Sequence, residues 1–161
     1  MGAAVANLKV RAEAARGSGS EPSFASKEEL REVMDRLLSE VDHDPRLGPR
    51  LRSTRVPYRL VFTDLGLVLE VSGSEKGQHA LRWEFADVPS EDAVLTLEMD
   101  SGVANRYLQG KENVAIAIAR RRIRVSCSEA RTALSFLPAN RELMGSYRAI
   151  VASEYPHLAV D

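Results

Sequence analysis

The chain has 161 residues, one cysteine and a net charge of −1. This excludes an internal disulfide and a multi-cysteine zinc site, and it offers nucleic acid none of the strong basic excess its binders carry. Hydrophobic residues make up 44% and charged residues 28%, as in ordinary soluble domains, and no apolar run approaches the roughly 20 residues that cross a bilayer.

Residues 1–23 read as a flexible N-terminal tail, and 24–161 as a single domain. The tail is alanine-rich and passes into a linker, Ala15-Arg-Gly-Ser-Gly-Ser-Glu-Pro22. It lacks the apolar core of a secretion signal, and Ala6 stands where N-myristoylation calls for Ser or Thr. Ser26-Lys-Glu-Glu29 is a capping box, in which Ser26 takes a free helix N–H while Glu29 reaches back to the Ser26 N–H. Behind it Leu30, Val33, Met34, Leu37, Leu38 and Val41 recur at helical spacing. The helix ends near Asp42, since Asp44-Pro45 and Gly48-Pro49 break any continuation.

Alternation of apolar and polar residues then predicts four strands joined by short connections. Tyr58, Leu60 and Phe62 oppose Arg59 and Thr63. Asp64-Leu65-Gly66 turns into Leu67, Leu69 and Val71, opposite Glu70. Leu81, Trp83 and Phe85 alternate with Arg82 and Glu84, and Leu95, Leu97 and Met99 alternate with Thr96 and Glu98. Short connections imply an antiparallel meander with one face packed and the other wet. A short helix capped by Asp100 and ending near Gly110 follows. Val114–Ala119 alternates Val and Ile with Ala, which fits a strand, yet alanine content and Asn113 as a cap also fit a short helix. A fifth strand alternates Ile123, Val125 and Cys127 with Arg122, Arg124 and Ser126. Ala130, Ala133, Leu134 and Leu137, then Leu143, Tyr147, Ile150 and Val151, predict two C-terminal helices separated by Pro138.

Candidate chemistry is sparse. His43, His79 and His157 are scattered, and a metal site needs converging ligands. Cys127 lies on the apolar face of its strand with no spaced Cys-His signature, which describes a buried inert thiol. Glu28-Glu29 and Glu91-Asp92 are explained by capping and solvation. Arg120-Arg121-Arg122 with Arg124 is the densest positive run. It is read first as a solvated strand face neutralised by Glu70, Glu84 and Glu98, and second as a phosphate or anionic-surface contact. No glycine-rich phosphate loop joins a strand to a helix.

The segments Leu95-Thr96-Leu97-Glu98-Met99, Asp100, Tyr107-Leu108-Gln109-Gly110-Lys111 and Arg121-Arg122-Ile123-Arg124-Val125 carry a resemblance. From about Leu60 to Cys127 the chain resembles the sterol-carrier-protein-2-like, or non-specific lipid-transfer, family. That resemblance implies an α+β fold whose five-stranded, largely antiparallel sheet has one face covered by helices, and it reads 113–119 as helix. It also implies an apolar cleft between sheet and short helices that takes a lipid, fatty acyl chain, sterol or other hydrophobic small molecule.

The expected lining is Trp83, Phe85, Val103, Tyr107, Leu108, Ile116, Ile118, Ile123, Leu134 and Leu137, with the Tyr107 hydroxyl placed to orient a polar head. The alternative is a module of the same fold with a filled core, whose C-terminal helices form a homodimer or partner surface. No catalytic group, metal or cofactor is expected, because no nucleophile–base pair can be assembled. Nucleic acid and stable membrane insertion are not expected either, and the reading is of a cytoplasmic protein.

Overall fold

Lys27–His43 forms helix α1, with the whole stripe from Leu30 to Val41 buried. The structure, a computed structural model, describes residues 22–47, 58–73, 81–90, 95–126 and 140–161. Ser26 is the N-cap, its hydroxyl accepting from the Glu29 N–H at 3.1 Å. Glu29 reaches back to the Ala25 N–H rather than to that of Ser26, so the box closes one residue early. At the other end the buried Asp42 accepts the Leu81 N–H at 2.8 Å, stitching α1 to the start of a strand.

Five strands follow: β1 Tyr58–Phe62, β2 Leu67–Gly73, β3 Leu81–Ala86, β4 Leu95–Met99 and β5 Ile123–Ser126, in the spatial order β3-β2-β1-β4-β5. The β1–β2 turn needs Gly66, whose φ of 62° is costly for other residues and whose N–H bonds to the Phe62 carbonyl. β1–β2, β2–β3 and β4–β5 are antiparallel, whereas β1 and β4 are parallel.

The sheet is therefore mixed, which corrects the largely antiparallel meander expected from the sequence. The expectation rested on short connections, but the link over 87–94 is long enough to carry the chain from β3 past β2 and β1, so β4 lies beside β1 and parallel to it. The chain leaves β3 at one edge, crosses the outer face and joins the open side of β1. Ser90, in that crossing, accepts from Arg59 Nη2 at 2.6 Å and donates to Glu70 Oε1 at 2.8 Å. Arg59 Nε meets the same Glu70 oxygen at 2.9 Å, and Arg59 is only 6% exposed. The Ser90 hydroxyl first, and the Arg59 guanidinium beside it, hold the Glu70 carboxyl below its ordinary range. With Val68 also buried, the outer face is not the uniformly wet surface expected.

The inner face carries Tyr58, Phe62, Leu69, Val71, Leu95 and Met99 into the core. Helix α2 (Ser101–Leu108), helix α3 (Val114–Ala119), helix α4 (Asn140–Glu154) and a 3-10 turn at Pro156–Leu158 complete the described elements, with α4 packed against both α1 and α2. Parallel pairing extends past β1, since the Thr63 N–H donates to the Met99 carbonyl at 3.0 Å.

That alignment changes how α2 starts. Asp100 stands at the N-cap but makes no capping bond; its carboxylate accepts from the Thr63 hydroxyl at 2.7 Å. The capping carboxylate is Asp64, which accepts from the Ser101 N–H at 2.8 Å and from the Ser101 hydroxyl at 2.6 Å. Asn113 caps α3 by accepting the Ile116 N–H at 3.1 Å.

Candidate functional site

The apolar inner face meets three helices at one place, and a cleft lies where they converge. α1 contributes Met34, Leu37 and Leu38, and the central strands contribute Tyr58, Leu60, Phe62, Leu69, Leu97 and Met99. α2 contributes Ala104, Tyr107 and Leu108, and α4 adds Leu143. Every lining side chain is aliphatic, a thioether or aromatic, so the cleft is apolar throughout. The phenols of Tyr58 and Tyr107 supply the hydroxyls. Burial, and secondarily the neighbouring Tyr107, pushes the Tyr58 phenol far above its ordinary range, so it stays protonated and able to donate.

The cleft is nearly closed. About 30 Å³ is open to the centre of a water molecule, and one water needs about 10–15 Å³ on that measure. Anything larger than a few waters therefore fits only if lining side chains move. Met34 and Met99 are suited to this, because an unbranched thioether repacks at low cost.

Of the residues expected at the cleft, the structure brings Tyr107 and Leu108 to it. Val103 faces a separate, polar hollow on the other side of α2. Trp83 and Phe85 lie on the edge strand β3 beneath α1, where the Trp83 indole donates to Asp35 at 2.9 Å and the Arg31 guanidinium stands over Phe85. Ile123 is buried in the core and does not line the cleft. Ile116 and Ile118 are corrected outright: they are 46% and 42% exposed, because α3 turns the small Ala117 inward. Leu134 and Leu137 lie outside the described residues.

The lining that the sequence reading missed comes mostly from β1, β2 and β4, already recognisable as inward-facing. What it lacked was the parallel β1–β4 pairing, which puts Leu60 opposite Leu97 and Phe62 opposite Met99 at the centre of the sheet.

Among the described residues no group of three metal-ligating side chains gathers. His43 bonds the Ser39 carbonyl and His157 pairs with Glu29, while His79 and Cys127 lie outside the described residues. No helix among the described residues is long and apolar enough to cross a membrane.

No family model matches the sequence, and no curated protein sequence matches it. Solved structures do match. A conserved hypothetical protein of Thermus thermophilus, suggested to be a sterol carrier protein, superposes with a TM-score of 0.57 at 13% identity, over 83% of this chain and 94% of that one. Sterol carrier protein 2 superposes with a TM-score of 0.55 at 12% identity, over 73% of this chain and 94% of its own.

The chain has a sterol-carrier-protein-2-like fold.

The ubiquinone synthesis protein UbiJ-SCP2 shares this fold, with a TM-score of 0.52 at 16% identity over 73% of this chain and 93% of that one. At these identities the likeness to sterol carrier protein 2 is one of architecture: an α+β fold with a five-stranded mixed sheet and helices. The cleft described above lies between that sheet and its helices.

Proposed function

We propose that this protein binds, and hands on, a lipid, sterol or other hydrophobic small molecule in the cleft between the sheet, α1, α2 and α4. The observation that carries the reading is the apolar lining of that cleft, with the Tyr58 and Tyr107 phenols on its wall. The fold shared with sterol carrier protein 2 supports it.

The energetics favour a carrier over a permanent cofactor site. Burying on the order of 300 Å² of ligand hydrocarbon at about 25 cal/mol/Å² gives roughly 7–8 kcal/mol. Opening the cleft and ordering the ligand offset part of this, leaving reversible, roughly micromolar binding. We take the role to be non-catalytic and cytoplasmic.

The test is titration of delipidated protein with a fluorescent fatty acid and a fluorescent sterol. Saturable binding is expected; none up to the probes' solubility limit overturns the reading. The small volume of the cleft favours a second reading, an interaction module with a filled core that works as a homodimer or against a partner. A tight dimer in sedimentation, with no ligand carried in native mass spectrometry, selects it.

A further inference from the structure

We infer that the polar hollow between α2 and the start of β5 is a binding site for a phosphate ester. The inference stands independently of the apolar cleft, although Met99 lines both spaces. The hollow is open to solvent and spans about 620 Å³. Its wall carries the guanidiniums of Arg106, Arg121, Arg122 and Arg124, with the carboxylates of Glu98 and Asp100.

These arginines fall into two pairs. Glu112, whose side chain is 4% exposed, takes Arg106 Nε at 2.8 Å and Arg122 Nη2 at 2.6 Å. One buried carboxylate thus fixes two guanidiniums as a rigid part of the wall. Arg121 and Arg124 have no ion pair or side-chain hydrogen bond among the described residues. Glu98 sits opposite Arg124 in the β4–β5 register, but no ion pair joins them. The Asp100 carboxylate is engaged by the Thr63 hydroxyl. Four guanidiniums therefore stand against three carboxylates, Glu98, Asp100 and Glu112, leaving a surplus suited to one anionic group.

The backbone supplies a second, independent observation. α2 and α3 end in the same motif, in which a residue just past the cap turns left-handed. In α2 that residue is Gly110, with the Gly110 N–H bonded to Tyr107 and the Lys111 N–H bonded to the Arg106 carbonyl. In α3 it is Arg121, at φ 59°, with the Arg121 N–H bonded to Ile118 and the Arg122 N–H bonded to the Ala117 carbonyl. Glycine is the usual occupant because any Cβ is strained there. Strain of this kind concentrates at functional positions. Here an arginine is held in a glycine's place, at the rim of a hollow, with its guanidinium uncommitted among the described residues. Planar guanidinium forks match phosphate oxygens two at a time, which a solvated basic surface does not require.

The experiment uses the full chain and separates the sources of the phosphate. One arm titrates glycerol phosphate calorimetrically. The other measures co-flotation with phosphatidylcholine vesicles with or without phosphatidic acid. Binding in either arm is expected to weaken at least about tenfold in Arg121→Gly and in Arg124→Gln, while Arg82→Gln, an exposed arginine on β3 paired with Glu84, leaves it unchanged. Glu98→Gln is expected to tighten it. Binding of glycerol phosphate identifies a soluble ester, and binding of phosphatidic acid vesicles alone identifies a headgroup; both support the site. Absence of binding in both arms overturns it, as does equal loss in Arg82→Gln, which would mark diffuse charge attraction.

Discussion

The Tyr147 hydroxyl on α4 donates to Asn105 Oδ1 on α2 at 2.7 Å, with both residues fully buried. The same oxygen accepts from Gln109 Nε2, and Asn105 Nδ2 and Gln109 Nε2 both donate to the Leu158 carbonyl. Burial holds the Tyr147 phenol above its ordinary range, so it remains a donor. Tyr147→Phe removes one bond while Gln109 still satisfies the acceptor, and a loss of about 1 kcal/mol is expected. Asn105→Ala strands the tyrosine hydroxyl in the interior and costs more, about 1–3 kcal/mol. Urea denaturation checks the order; a costlier Tyr147→Phe contradicts it.

The start of α2 discriminates between two aspartates. Asp64→Ala removes the bonds to both the Ser101 N–H and hydroxyl, and a loss of about 1–2 kcal/mol is expected. Asp100→Ala removes only the Thr63 hydroxyl contact and is expected to cost less than half as much. Thermal melts of the two variants decide the point.

What was legible in the sequence was local. The α1 stripe and its Ser26 cap, the inward faces of the strands and the Asn113 cap all follow from neighbours within a few positions. What was not legible depended on partners far along the chain. Asp100 is the adjacent, obvious cap, yet Asp64 performs the capping because parallel β1–β4 pairing brings the β1 end beside α2. Arg59 reads as a solvent-facing strand residue until Ser90 crosses over it. In Val114–Ala119 the large residues alternate with alanine over only six positions, so nothing in the period says that Ala117 faces inward and Ile116 and Ile118 outward.

The left-handed position after α3 gives a gain-of-stability prediction. Relieving the left-handed conformation is worth about 1–2 kcal/mol, and the freer unfolded chain of a glycine variant returns about 0.4–1 kcal/mol of that. Arg121→Gly is therefore expected to stabilise the fold by roughly 0.5–1 kcal/mol. Gly110→Ala should destabilise, since φ is 75° and an added Cβ meets Arg148 Nη1 at 3.2 Å. Midpoints from chemical denaturation check both signs, and a destabilised Arg121→Gly contradicts the first.

Two substitutions distinguish the cleft from the exposed face of α3. Ala104→Leu adds bulk to the cleft wall and is expected to abolish fluorescent fatty-acid binding, with an overpacking cost of about 1–2 kcal/mol. Ile118→Trp, at a position 42% exposed, should leave both stability and binding close to wild type. Parallel melts and titrations test the pair, and loss of binding in Ile118→Trp alone moves the site to α3.

Glu70 predicts a pH dependence. Its folded-state pKa lies below the ordinary value of 4.5, so the unfolded chain takes up the proton first as the solution is acidified. The stabilisation it contributes is complete above that value and disappears as pH falls through the lower folded-state value. Glu70→Gln is expected to cost about 1 kcal/mol at neutral pH, with the gap to wild type closing below pH 4.5. A gap that stays constant across the acid range contradicts it.

The buried amides of α2 also impose an order on synthesis. Asn105 and Leu158 are 53 positions apart, so a ribosome adding about 5–20 residues per second leaves the amide without that carbonyl for about 3–10 s. Throughout that interval α2 can approach the sheet but cannot settle, because burying it would strand Asn105 and Gln109 in hydrocarbon. Full burial of α2 therefore waits on the segment that carries Leu158, however early the helix itself has formed.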